Sequence, residues 1–325
     1  MARLEILENT SEIGAGTRGS GLGPEALRYA AIKQNSDFFV RYPVHKITTY
    51  NEVLKSPSTL VNAWYLDKIS MVYKNVCSEV SRSLGEGSFP IILAGDHSSA
   101  GASIAGIKEQ HPTKRLGVIW IDAHADLHSP YTTPSGNVHG MPLATAIAED
   151  NVPNAINEPN NVTIDHWEKL KATGGVIPKI QPSDIVFFGV RDTEPPEEAL
   201  MGKYVIPNFT VDKCRDRGIA ECVKDGIRHL RDCDLIYISF DVDSMDCDSV
   251  SNGTGTPVPH GFTAQEAYEI LASILEQSDK ICAFEMVEIN PLLDHGGNSM
   301  AEVSFGILEQ LTQYLEKYTS PIGVD

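Results

Sequence analysis

Five short apolar runs, none alternating with polar residues, set the strongest limit on how this chain can fold. They are Phe89–Leu93, Leu116–Ile121, Asp184–Phe188, Leu235–Phe240 and Ile281–Phe284. A strand with one wet face alternates apolar and polar residues, whereas a strand covered on both faces is apolar along its length. The runs are therefore expected to be buried strands of a mostly parallel sheet. Between them lie stretches with helical signals. Pro24–Ile32 has proline in its first turn, followed by Glu25. Thr263–Gln277 starts with Thr263 and carries Glu266 three residues on, which is a capping box. Ala63–Leu84 and Met300–Tyr318 are the longest. Alternating strands and helices imply an α/β fold. No repeat divides the 325 residues, and the Asn- and Pro-rich Asn151–Asn161 segment is a surface loop too short to link domains. One domain spanning 1–325 is expected.

The formal net charge of −18 bears on partners. Such a surface repels nucleic acid and anionic lipid, so neither is expected to bind. The six cysteines, Cys77, Cys214, Cys222, Cys233, Cys247 and Cys282, form no C-x-x-C pair and suit reduced thiols. Glu5 and Glu8 interrupt the place where a signal peptide needs an apolar run, and no stretch approaches the ~18 apolar residues of a membrane span. The expected location is the cytoplasm.

Chemistry is concentrated where the strands end, the side on which open parallel sheets bind ligands. Leu93 is followed by Ala94-Gly95-Asp96-His97-Ser98, and Ile121 by Asp122-Ala123-His124-Ala125-Asp126-Leu127-His128. Phe240 is followed by Asp241-Val242-Asp243, and the run from Ile281 continues into Glu285-Met286-Val287-Glu288-Ile289-Asn290-Pro291. In an extended segment residues i, i+2 and i+4 project to one side, so Asp122, His124 and Asp126 are expected to converge, as are Asp241 and Asp243. Buried carboxylates at this density need a compensating charge, which two divalent cations supply. Mixed carboxylate and imidazole ligands favour manganese or a similar ion over zinc. One Asp-x-Asp alone is usually a cap or turn. Three clusters, each directly after a buried strand, favour a metal centre.

These motifs resemble the ureohydrolases, the family of arginase, agmatinase and formiminoglutamase. The resemblance runs from Gly14–Pro24 to Pro291 and rests on Gly95-Asp96-His97-Ser98, Asp122-Ala123-His124-Ala125-Asp126, Ser239-Phe240-Asp241-Val242-Asp243 and Glu288-Ile289-Asn290-Pro291. It implies a three-layer α/β/α sandwich around a parallel sheet, and two Mn²⁺ per chain. One ion would be held by His97, Asp122, Asp126 and Asp241, the other by Asp122, His124, Asp241 and Asp243. It implies further that a metal-bridging hydroxide attacks the carbon of a small guanidino substrate, with Asp126 taking the proton, His139 shuttling protons and Glu288 pairing with the guanidinium. A homo-oligomer, trimer or hexamer, is also implied.

Within the family, the loops are most similar to those of bacterial arginases, which turn L-arginine into L-ornithine and urea. Ser135 and Asn137 match positions that bind the substrate α-carboxylate. Glu194 and Glu197 lie in the stretch whose acidic residues receive the α-amino group, and Thr256 reaches toward the substrate end. Two positions depart from the pattern: His128 stands where arginases usually have Asn, and Glu194 where they usually have Asp. Either change suits a different guanidino acid, so guanidinobutyrase, agmatinase and formiminoglutamase activities remain alternatives. A non-catalytic nucleotide-binding role is the alternative of another class, because Gly14-Ala15-Gly16-Thr17-Arg18-Gly19 matches G-x-G-x-x-G. The helix expected to follow begins only at Pro24, so these glycines do not open a helix N-terminus to a pyrophosphate. They are expected to form a loop near the active-site mouth.

Overall fold

The computed structural model describes residues 3–318. Its strands are β1 (Arg3–Asn9), β2 (Val44–Lys46), β3 (Ser88–Ala94), β4 (Leu116–Ile121), β5 (Ile185–Phe188), β6 (Asn208–Phe209), β7 (Leu235–Asp241) and β8 (Ile281–Val287). They form one sheet in the order β2-β1-β3-β8-β7-β4-β5-β6, every neighbouring pair parallel.

The non-alternating composition has the expected cause. Along β4, Val118 and Trp120 enter one core while Ile119 and Ile121 enter another. Along β7, Ile236, Ile238 and Phe240 face one core and Leu235 and Tyr237 the other. Helices Gly23–Lys33, Ile219–His229, Ala264–Gln277 and Ser299–Tyr318 supply residues such as Leu27, Val223, Ile270 and Phe305 to the first core. Helices Leu66–Gly85, Ala100–Gln110 and Asn161–Lys171 supply Val76, Ile104 and Trp167 to the second. The result is a three-layer α/β/α sandwich around a parallel sheet.

All five expected strands form, but β1, β2 and β6 were not foreseen. In β1 the polar residues are buried with partners from other elements. Glu5 Oε1 lies 2.8 Å from His45 Nε2 and 3.2 Å from Arg82 Nη2, and Glu8 pairs with Arg28. Glutamates that look like solvent-facing residues in sequence are thus satisfied inside the fold, which permits a strand there. β2 and β6 are too short to carry a periodic signal. The second long helix starts at Leu66 rather than Ala63, because Asn62 and Tyr65 take left-handed backbone angles (φ 64° and 55°) that no helix continues. All six cysteines are buried and unpaired. No helix among the described residues is long and apolar enough to cross a membrane.

The capping box at Thr263 forms as expected: its side chain accepts from Glu266 N at 3.1 Å, and Glu266 Oε2 accepts from Thr263 N at 2.8 Å. Replacing Thr263 by Ala should lower the unfolding free energy by about 1 kcal/mol without altering catalysis, a result that chemical denaturation would read directly.

Candidate metal centre and substrate pocket

Four adjacent strands, β3, β8, β7 and β4, carry the candidate residues at their carboxyl ends. His97 opens a short 3-10 turn just past β3, its N-terminus capped by Asp96, whose Oδ1 accepts from Ser98 N at 2.8 Å. The other oxygen of Asp96 accepts from Gly14 N at 2.8 Å, which ties the glycine loop to the site. His139 N in turn donates to Gly14 O at 3.1 Å. The glycine loop therefore lies beside the candidate centre, where it was expected.

The six residues read as ligands, Asp126 among them also the proton acceptor, do not meet at one point, and the assumption of an extended segment after β4 fails. Asp126 has φ 52°, a left-handed angle, so its carboxylate leaves the line of Asp122 and His124. Two groups result, and Asp122 belongs to both. In the first, His97 Nδ1 lies 3.1 Å from Asp122 Oδ2, 3.1 Å from Asp126 Oδ2 and 3.1 Å from Asp241 Oδ2. In the second, His124 Nδ1 lies 3.1 Å from Asp243 Oδ2 and 3.4 Å from Asp122 Oδ1. Asp243 sits not on the strand but in the 3-10 turn Val242–Ser244, and its amide donates to Asp241 Oδ1 at 2.8 Å.

The surroundings of His97 test whether a cation fits. Its Nε2 pairs with Ser239 Oγ at 2.7 Å, and its ring stacks on Trp120 with centroids 4.1 Å apart and planes 4° from parallel. That fixes the ring with Nδ1 turned to the three carboxylates. Nδ1 and Asp122 Oδ2 are both buried, yet neither makes a hydrogen bond of acceptable geometry. One nitrogen and three carboxylate oxygens aimed at common ground are a cation's donor set. Burial opposes charge on His97, but the carboxylates of Asp122, Asp126 and Asp241 outweigh it and raise its pKa well above the usual value. Burial and the neighbouring carboxylates likewise raise Asp241 and Asp126.

Above this centre is a cavity of about 280 Å³. His97, His124, Asp126 and Asp241 line it at the metal end. His128, Ser135, Asn137, Glu194, Glu197 and Thr256 line it as well, so the residues read as substrate contacts share one space with the metal candidates. Asp122, Asp243 and Glu288 are buried and lie outside the cavity lining. Thr256 Oγ1 donates to Asp243 Oδ2 at 3.0 Å rather than reaching into open space. His139 joins the cavity wall, with Nδ1 3.1 Å from Glu288 Oε1. Burial works against charge on His139, but the Glu288 carboxylate prevails and raises its pKa.

The two departures from the family pattern turn out to touch each other. His128 Nε2 lies 2.9 Å from Glu194 Oε2 and 3.4 Å from Glu197 Oε2, and these three form a further cluster of metal-ligating types. Glu194 and Glu197 also cap the helix Pro195–Tyr204 reciprocally. Burial pushes the Glu197 carboxyl up to about 8, while the hydrogen bond from His128 holds Glu194 below its ordinary range.

Several residues that shape the site were not singled out from sequence. Asp192 lines the cavity beside His124, and its position within the Arg191–Glu197 motif was the available signal. Arg191 donates to five backbone carbonyls, those of Gly189, Asp243, Ser244, Val258 and Pro259, and so pins the loop that bears Asp243 and Thr256. Trp120, on which the His97 ring stacks, could be found only in three dimensions.

With this geometry in view, the match of a family model is decisive: the arginase family model fits residues 7–312. The chain belongs to the arginase family. The arginase of Brevibacillus brevis is 32% identical over 320 residues, an alignment covering 95% of this chain and 97% of that protein. That of Staphylococcus aureus (strain MRSA252) is 33% identical and covers 94% and 95%. Among solved structures, Bacillus caldovelox arginase superposes with a TM-score of 0.80 at 29% identity, covering 96% of this chain and 98% of that one. Membership of the arginase family makes the protein a hydrolase of the ureohydrolase type, and its ligand clusters are of the kind a binuclear metal site needs.

Proposed function

We propose that this protein hydrolyses L-arginine to L-ornithine and urea, with two manganese ions held by His97, Asp122, His124, Asp126, Asp241 and Asp243. The observation that carries the reading is the convergence of three carboxylate oxygens on His97 Nδ1, each at 3.1 Å, at the floor of the cavity that Ser135 and Asn137 line. Two such ions, when bound, would lower the pKa of water at the site so that hydroxide is available near neutral pH. The protein's own groups do the rest. Glu288, whose buried Oε2 has no protein partner and which lies behind the cavity wall at His139, would pair with the guanidinium once that wall yields to substrate. Asp126, whose pKa is raised by burial and by Asp122, takes the proton of the attacking water. As the new carbon–oxygen bond forms, the bond from the guanidino carbon to the side-chain nitrogen of ornithine breaks. That nitrogen needs a proton, which Asp126 passes on, and His139, paired with Glu288, restores the balance with solvent.

At the other end, Ser135 and Asn137 bind the α-carboxylate, and Glu194 and Glu197, with His128 beside them, face the α-amino group. The reading extends to a single domain over residues 1–325, in a cytoplasmic homo-oligomer, trimer or hexamer. These last points rest on the family resemblance and on the unpaired cysteines.

One observation favours a second reading. The contact between His128 and Glu194 at 2.9 Å occupies a carboxylate otherwise free for an amino group, which suits a guanidino acid without one, such as guanidinobutyrate. Urea release from L-arginine, agmatine and guanidinobutyrate by manganese-loaded protein separates the two. Preference for L-arginine supports the first reading, preference for guanidinobutyrate the second, and no urea from any of them rejects both. Asn137→Ala should raise KM for L-arginine about tenfold, as expected for loss of a hydrogen bond to a charged group, and leave that for agmatine within twofold. Equal changes for both substrates would show that Asn137 does not read the carboxylate.

A further inference from the structure

The edge of the pocket that Ser135 and Asn137 form is held from a distant part of the chain. Trp64 donates twice to this loop: its backbone N–H to Gly136 O at 2.8 Å, and its indole Nε1–H to Ser135 O at 2.7 Å. Gly136 lies flat against the ring. A Cβ built on it would fall 2.6 Å from Trp64 Nε1, and its φ of 80° is one that glycine adopts without strain. From the other side the loop meets the glycine-rich segment, where a Cβ on Gly16 would lie 2.5 Å from Asn137 Nδ2. Within the loop, Asn137 N donates to Ser135 Oγ at 3.1 Å and Gly136 N to Thr133 Oγ1 at 2.9 Å.

Trp64 is itself firmly placed. It lies between two left-handed residues, Asn62 and Tyr65, and Tyr65 caps the helix that starts at Leu66. Tyr65 N donates to Ser58 Oγ at 2.8 Å, and Tyr65 OH to Ser56 O at 2.8 Å. Non-glycine residues in the left-handed region persist only where surrounding contacts hold them. Yet Trp64 is 38% exposed, so apolar burial alone does not account for its position. Both of its N–H groups are spent on one three-residue loop.

We propose that Trp64 is a positioning residue: it anchors the Ser135–Asn137 edge of the pocket to the start of a rigid helix and thereby sets the affinity for the carboxylate end of an amino-acid substrate. The assignment of that edge to the carboxylate rests on the function proposed above; the clamp itself does not. Trp64 takes no part in proton transfer, so its loss acts on binding and not on turnover.

Trp64→Phe keeps an aromatic ring and the backbone bond and removes only the indole donor. In the manganese-loaded protein this variant should raise KM for L-arginine up to about fivefold, the ceiling set by one neutral hydrogen bond, with kcat within about twofold and the melting temperature lowered by no more than about 2–4 °C. In an Asn137→Ala background the same change should add less than about twofold, since the group being positioned is gone. An unchanged KM, a fall in kcat alone, a loss confined to melting temperature, or full additivity with Asn137→Ala would each overturn the proposal. Should the unmodified protein release no urea from L-arginine, the functional reading fails and the clamp is judged by amide hydrogen exchange. Faster exchange across residues 133–139 in Trp64→Phe then supports it, and unaltered exchange refutes it.

Discussion

Asp126→Asn should reduce urea release by about a thousandfold or more while leaving the protein folded, a loss within the range set by removing a general base. The substitution removes a negative oxygen from the group around His97, where Asp126 Oδ2 lies 3.1 Å from Nδ1, and it removes the proposed proton acceptor. The backbone argues that folding survives. Asp126 has φ 52°, and asparagine is, with aspartate, among the few non-glycine residues that settle there readily. Its carbonyl continues to accept from Leu143 N at 3.2 Å whatever the side chain. Circular dichroism should therefore match the unmodified protein. Activity near that of the unmodified protein would remove Asp126 from the mechanism and leave the cavity without an identified base.

Removal of bound cations should lower the melting temperature by on the order of 10 °C. Asp122, Asp126, Asp241 and Asp243 are all buried in one region, with Asp96 and Glu288 nearby. Without compensating charge these carboxylates repel one another, and burial raises the pKa of Asp96 to about 6 and that of Asp243 above its ordinary value. A site saturated at a hundred times its Kd adds about 2.7 kcal/mol to stability, so two sites add about 5 kcal/mol. At about 2–4 °C per kcal/mol for a chain approaching this size, a shift of that order follows. Calorimetry of protein treated with chelator and then reloaded with manganese checks it. Coincident melting curves would mean that the clusters hold no cation and that the carboxylates are kept apart by protonation instead.

How much of this was legible in the sequence depended on the range of the interactions involved. Runs such as Leu116–Ile121 announce a strand because burial on both faces acts on every residue in turn. β1 does not, because its glutamates find their partners in His45, Arg82 and Arg28, which are far away in sequence. The metal-ligand types at the strand ends were visible, since each follows its strand directly. Their division into two groups came only from the family resemblance, since local spacing put Asp122, His124 and Asp126 together and could not show the left-handed backbone at Asp126. The contact of His128 with Glu194 spans 66 residues and that of Trp64 with Ser135 spans 71, and no local pattern encodes either. Arg191 was passed over because its five partners are carbonyls, which every residue possesses.

The place of β8 in the sheet governs how the molecule comes into being during synthesis. It is the last of the described strands to leave the ribosome, yet it lies between β3 and β7 at the middle. In the folded sheet it joins two ribbons, β2-β1-β3 and β7-β4-β5-β6, and without it each would present a bare apolar edge. His97 travels with the first ribbon, and Asp122, His124, Asp126, Asp241 and Asp243 travel with the second. One expected ligand set, Asp122, His124, Asp241 and Asp243, lies wholly on the second ribbon, whereas the other also needs His97 from the first, so only that set depends on β8 to bring the two ribbons together. A message broken before the codon for Ile281 yields a product with two sticky edges, destined for aggregation or proteolysis.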